Sequence, residues 1–135
     1  MESSKRKILI VDDNLELAKM VARSLEKEGF HVLLAPDGNT AIQKASSEYP
    51  ELVLLDLKLP DIPGIDVLKD IKSFNEDTAV IIITAYWGEK VAIDLMKAGA
   101  IDFLSKPFNF EDLLSAIKNA FKLRDAQLED KRHKR

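Results

Sequence analysis

The chain has 135 residues, a formal net charge of −3, 46% hydrophobic and 32% charged residues and no cysteine. Such a composition fits one soluble globular domain that buries its own core, and it excludes disulfides, thiolate catalysis and Cys-ligated zinc. No apolar run approaches the roughly 18–20 residues that span a bilayer, and the N-terminal MESSKRK lacks the apolar region of a signal peptide, so a cytoplasmic location is expected.

In chain order, KILIV (7–11) comes first, a short continuous apolar run of the kind found in strands buried on both faces. It runs straight into Asp12 and Asp13, whose adjacent carboxylates repel each other and are costly to bury without a compensating cation. Leu17, Met20, Val21 and Leu25 then recur at steps of three and four, which predicts a helix stopped at Gly29. HVLLA (31–35) is the second strand. Ala41, Ile42 and Ala45 mark a second helix with Asp37 as its N-cap. LVLL (52–55) is the third strand and ends in Asp56; Pro63-Gly64 open a helix carrying Ile65, Leu68, Ile71 and Lys72. AVIII (79–83) is the fourth strand, reaching Thr84, and Val91, Leu95 and Ala98 form a helix that ends at Gly99. DFLS (102–105) is the fifth strand and leads into Lys106-Pro107. Phe110, Leu113, Leu114, Ile117 and Phe121 trace a last helix, whose pattern continues through Ala126 and Leu128 without Gly or Pro.

Strand and helix alternating five times imply a parallel sheet with helices on both faces. Right-handed crossovers restrict the topology to a few choices, of which a doubly wound α/β fold of flavodoxin-like strand order 2-1-3-4-5 is the natural one. In such sheets ligands sit beyond the carboxyl ends of the strands. Asp12, Asp13, Asp56, Thr84 and Lys106 all fall there. Each has an ordinary explanation alone: a helix cap beside a solvated neighbour, a strand end, a strand-favouring threonine, a surface lysine. Together they have a specific chemistry. Three carboxylates suit a hard divalent ion, most simply Mg2+. A carboxylate beside that ion can attack phosphorus and become an acyl phosphate, while Thr84 donates to one phosphoryl oxygen and Lys106 pairs with another.

The motifs ILIVDDN, LVLLDLKLPDIPG, IIITAY and DFLSKPF resemble the receiver domains of two-component response regulators. The resemblance covers about residues 5–124, and the stretch TAYWGEKVAIDLMKAGAIDFLSKPF resembles the receivers of NtrC-like transcription activators in particular. It implies that Asp56 is the phospho-acceptor, fed by the phosphohistidine of a sensor histidine kinase. It implies a Mg2+ site made by Asp12, Asp13, Asp56 and the backbone carbonyl of Lys58, with Thr84 and Lys106 holding the phosphoryl group and a cis peptide before Pro107. Thr84 and Phe103 would be the switch pair, with phosphate shifting the population between two arrangements of the fourth and fifth helical face. Many members carry Tyr at the place of Phe103, and an output contact through that hydroxyl is not expected here. A plain core ring is the other reading of Phe103. Lys58 and Tyr86 fall where the family tunes phosphoryl lifetime, and their bulk and charge suggest slow autodephosphorylation.

The expected organisation is a receiver over 1–124 and a charged helical extension or linker over 125–135. From Lys122 to Arg135, six Lys/Arg face three acids, which suits a solvated helix end better than a nucleic-acid arm. That helix would be a homodimer stalk, a linker to an output domain, or a segment that frays. The AAA+ and DNA-binding domains that follow NtrC-like receivers have no counterpart here: the chain has no GxxxxGK[ST] loop and no helix-turn-helix after residue 110, so nucleic-acid binding is not expected of it. The chain is expected to be a phosphotransfer switch that catalyses only its own phosphorylation and dephosphorylation, and not an enzyme beyond that. A flavin carrier would need a hydroxyl-rich loop where DDNLE stands. A haloacid-dehalogenase phosphatase needs Asp two residues after its nucleophile, where Asn14 and Lys58 stand. The remaining alternative is an interaction module of the same fold that no longer uses phosphate.

Overall fold

The computed structural model describes residues 5–85 and 88–133. Tyr86 lies outside the described residues, and so does the lifetime reading of it. Five strands, β1 (Lys7–Val11), β2 (His31–Ala35), β3 (Leu52–Leu55), β4 (Ala79–Thr84) and β5 (Asp102–Ser105), alternate with α1 (Leu15–Lys27), α2 (Gly38–Glu48), α3 (Gly64–Phe74), α4 (Glu89–Lys97) and α5 (Phe110–His133). All four strand pairings are parallel and the order is β2-β1-β3-β4-β5, as the sequence pattern predicts.

The central strands explain why their sequences are continuous apolar runs. Every residue of β3 and β4 is buried, because helices cover both faces. Alternate side chains enter two cores. Ile8, Ile10, Leu54 and Ile81 face α1 and α5, where Leu25, Leu113 and Ile117 meet them. Leu9, Val53, Leu55 and Ile82 face the other layer, where Leu68, Ile71 and Leu95 meet them. Each such side chain, taken fully out of water, contributes about 1.5–3 kcal/mol. β4 reaches Thr84, as the sequence pattern predicts, and Thr84 pairs in register with Ser105.

Two helix faces differ from the sequence reading. Met20 is 54% exposed, whereas Ala18, Val21, Ala22 and Leu25 are the buried face of α1. At 100° per residue Met20 points about 200° from Ala18, on the far side of the helix. Val91 is likewise exposed, and Leu95 is the residue that α4 buries. Lys72, which falls in the apolar pattern of α3, is neither core nor free surface. Its ammonium donates to the Thr78 carbonyl at 2.8 Å and to the Glu76 carbonyl, so its stem lies along the protein while its tip closes the α3–β4 turn. Burial pushes its pKa down, against the pull of Asp77 and Glu76.

α5 is continuous to His133. None of residues 122–132 is buried, and polar contacts tie this half to the molecule instead. Arg124 Nε donates to the Asp77 carbonyl at 2.9 Å, and Lys131 Nζ reaches Asp77 at 2.5 Å and Glu76 at 2.8 Å. Arg6 pairs with Asp125 at 2.6 Å and lies 4.4 Å over the ring of Phe121, which stacks in turn on Phe30.

Candidate functional site

The carboxyl ends of β1, β3, β4 and β5 converge on one edge. Asp12 leaves β1 with its N–H still bonded to the Ala35 carbonyl, so the ladder itself sets where its side chain begins. Its Oδ1 accepts the Asn14 N–H at 2.9 Å. The cap of α1 belongs to Asn14, whose side chain accepts the Leu17 N–H at 3.1 Å. Neither aspartate is consumed as a cap, so both carboxylates remain available to the edge. Asp56 leaves β3 in the same way, its N–H on the Val11 carbonyl, and its Oδ1 accepts the Lys58 N–H at 3.1 Å. Asp12 and Asp56 are each only 7% exposed, while Asp13 beside them is exposed.

Lys106 joins the two buried acids. Its backbone N–H bonds the Thr84 carbonyl, which fixes the start of the segment after β5 against the end of β4. Its Nζ donates to Asp12 Oδ2 and to Asp56 Oδ2, at 2.8 Å each. Burial works against the ammonium charge, but the hydrogen bonds and charges of Asp12 and Asp56 outweigh it and hold the Lys106 pKa above its ordinary value. The Lys106–Pro107 peptide bond is cis, as the receiver resemblance implies. Thr84, 2% exposed, ends the neighbouring strand. Lys58 presents an exposed side chain, and its backbone N–H is the part of it bonded to Asp56. Phe103 sits one strand over, opposite Ile82, and packs half-buried against the α2–α4 layer. That position suits a core ring and a switch ring equally.

Oxygen atoms of Asp12, Asp13 and Asp56 lie within 4.8 Å of one another. Three carboxylates against the one Lys106 ammonium leave two negative charges on the cluster. A divalent hard cation fits both that charge and the all-oxygen donor set, whereas a soft metal would want sulfur or imidazole.

Two residues that matter to this edge are not singled out by sequence pattern. One is Asn14, which relieves the aspartates of capping. The other is Asp61, in the turn LPDIPG, whose two carboxylate oxygens accept the Gly38 and Asn39 N–H groups across more than twenty residues. A turn aspartate carries no sequence mark of a long-range partner.

Residues 8–118 match the response regulator receiver domain family. The chain is 32% identical over 123 residues to regulatory protein AtoC of Escherichia coli (strain K12); this covers 91% of the chain but 27% of AtoC. A receiver domain protein (CheY-like) from Methanospirillum hungatei JF-1 superposes with a TM-score of 0.89 at 31% identity, covering 92% of this chain and 99% of that one. A response regulator from Burkholderia pseudomallei, solved with a phosphorylated aspartic acid, calcium ion and citrate, superposes at 0.80 with 28% identity, covering 93% of this chain and 75% of that one. The chain therefore belongs to the receiver domains of two-component response regulators, and its relatives include NtrC-like regulators. It spans about a quarter of the length of AtoC.

Proposed function

We propose that the chain is a phosphoryl-accepting switch whose acceptor is Asp56. The observation that carries this reading is the Lys106 ammonium at 2.8 Å from both Asp12 and Asp56, with Asp13 completing the acidic cluster. The phosphorylated aspartic acid and calcium ion of the Burkholderia pseudomallei regulator support it. An Asp56 carboxylate oxygen forms a bond to phosphorus as the bond to the donor's phosphohistidine nitrogen breaks. The nitrogen keeps the electron pair, and an acyl phosphate results. Asp12, Asp13, Asp56 and the Lys58 carbonyl would hold Mg2+, which when bound neutralises charge on the transferring oxygens. Lys106 then trades one carboxylate for a phosphoryl oxygen, and Thr84 donates its hydroxyl to another. The chain catalyses only its own phosphorylation and dephosphorylation.

The conformational reading belongs to the same proposal. Thr84 moves toward the phosphoryl group, the Phe103 ring turns inward, and the α4 side of the molecule shifts population. The exposed Val91, Ile93 and Met96 of α4 support self-association through the fourth and fifth helical face. A sensor histidine kinase as donor, a cytoplasmic location, a receiver over 1–124 with 125–135 as linker, and transcriptional output through domains beyond this chain complete the reading. Slow autodephosphorylation from Lys58 and Tyr86 is its kinetic corollary; a phosphoryl half-life of seconds in Mg2+ would refute that part.

Intact-mass spectrometry after acetyl phosphate and Mg2+ tests the proposal. Wild type gains the mass of one phosphoryl group, and Asp56→Asn gains none. An unchanged wild-type mass sinks it, as does an equal gain in the variant.

A further inference from the structure

We propose that Asp61 is a positioning residue for phosphoryl acceptance: it ties the loop bearing Asp56 and Lys58 to the N-terminus of α2 and so sets where the Lys58 carbonyl stands. The inference rests on the reading of Asp56 above.

The connection from β3 to α3 spans residues 56–63. Backbone N–H groups of the loop bond within it. The Lys58 N–H donates to Asp56 Oδ1 at 3.1 Å, and the Gly64 N–H donates to the Leu57 carbonyl at 3.1 Å. These curve the loop but do not fix it to a neighbour. Asp61 does so. Its Oδ1 accepts the Gly38 N–H at 2.8 Å and its Oδ2 the Asn39 N–H at 2.9 Å, while Oδ1 also takes the Ile62 N–H at 2.9 Å. A helix N-terminus offers unpaired N–H groups at the positive end of its dipole, so a carboxylate is the fitting anchor.

The fit has a steric side. A Cβ on Gly38 would stand 3.0 Å from Val67 Cγ2, 3.1 Å from Ile62 Cβ and 3.2 Å from Asp61 Oδ1. The absent side chain lets α2 come close enough for both bonds. The helix does not depend on Asp61 for its own cap. Asp37 already accepts the Thr40 N–H at 2.7 Å, and Asp61 takes the two N–H groups that Asp37 leaves. What Asp61 adds is a polar fixed point three residues past Lys58, beside the apolar packing of Leu57, Leu59 and Ile62 against the core.

The test uses the full chain and three variants: Asp61→Ala, Asp61→Asn and Asp37→Ala. Calorimetric Mg2+ titration, phosphoryl gain from acetyl phosphate and thermal melting are read on each. Asp61→Ala binds Mg2+ roughly tenfold more weakly, the lower end of what losing an outer support costs a metal site. Its phosphorylation is slow at low Mg2+ and recovers at saturating Mg2+. Asp61→Asn, which keeps one acceptor oxygen, falls between. Asp37→Ala melts at least as early as Asp61→Ala but keeps wild-type Mg2+ affinity. If Asp61→Ala binds Mg2+ like wild type while folded, or if Asp37→Ala weakens binding equally, the positioning role is wrong. A wild type that neither binds Mg2+ nor gains mass overturns the Asp56 reading and this inference with it. A working wild type beside an equally working Asp61→Ala overturns the inference alone.

Discussion

The Lys106 ammonium stands 2.8 Å from an oxygen of both Asp12 and Asp56, and Asp13 is left as the third negative charge of the cluster. Without a metal, that third charge opposes its neighbours. Asp13→Asn is therefore expected to raise the melting temperature in Mg2+-free buffer by about 2–4 °C, near 1 kcal/mol for a domain of this size. It should also abolish the rise that Mg2+ gives wild type. Melting curves with and without Mg2+ check both parts, and an earlier melt for the variant without Mg2+ contradicts the charge argument. Asp61 sets an acid limit. The Asn39 and Gly38 N–H groups hold its pKa below the ordinary 3.8. A carboxylate depressed on folding contributes stability above its unfolded pKa and loses it as pH falls through the folded value. Asp61→Asn should thus lose less stability than wild type as pH drops below about 4. Denaturant titrations between pH 6 and 2 show it, and parallel curves for the two proteins would refute it. Asp125, held low by Arg6, keeps part of the acid sensitivity in both.

At the scale of elements, α5 is two helices in energetic terms. Its first half is anchored by Leu113, Ile117 and Phe121 in the core. Its second half rests on Arg6–Asp125, Arg124–Glu51 and the Lys131 pairs with Glu76 and Asp77. Exposed pairs contribute about 0–1 kcal/mol each and weaken as salt shortens the screening length. In 1 M salt, amide exchange past Arg124 should speed up while that of β3 and β4 stays constant; uniform protection along α5 would speak against this. Gly64 marks the opposite limit of tolerance. A Cβ there would stand 2.5 Å from Leu57 Cα, which is backbone and cannot move aside cheaply. Gly64→Ala should lower stability by about 1–3 kcal/mol and, by shifting the acceptor loop, weaken Mg2+ binding. Chemical denaturation and metal titration measure the two effects.

Across the whole molecule the helices are unequally held. α1 and α3 each bury four residues, whereas α4 buries Leu95. Elements with few buried contacts open first. Among α1 to α4, the amides of α4 should exchange fastest, and phosphorylation should alter their rates more than those of α1. Equal rates for the two helices would remove α4 as the mobile part of the switch. The same inequality limits what periodicity reveals. Apolar spacing locates α4, but its helical stripe includes Val91, which the fold leaves exposed. A pattern in one segment records which side chains share a face and not how much of that face a neighbour covers.

The sequence alone determined the five strands and the edge at which Asp12, Asp13, Asp56, Thr84 and Lys106 collect, and it left 2-1-3-4-5 as the natural choice among a few strand orders. The physical reason is that strands covered on both faces must be continuous apolar runs, and parallel crossovers put every strand's carboxyl end on one side. The tertiary structure decided what depends on partners distant in the chain. It made Asn14 and not an aspartate the cap of α1, turned Met20 to solvent, bent Lys72 onto the Thr78 carbonyl and set Asp61 against α2. Such choices turn on distances between segments tens of residues apart, and a local pattern holds no record of those distances.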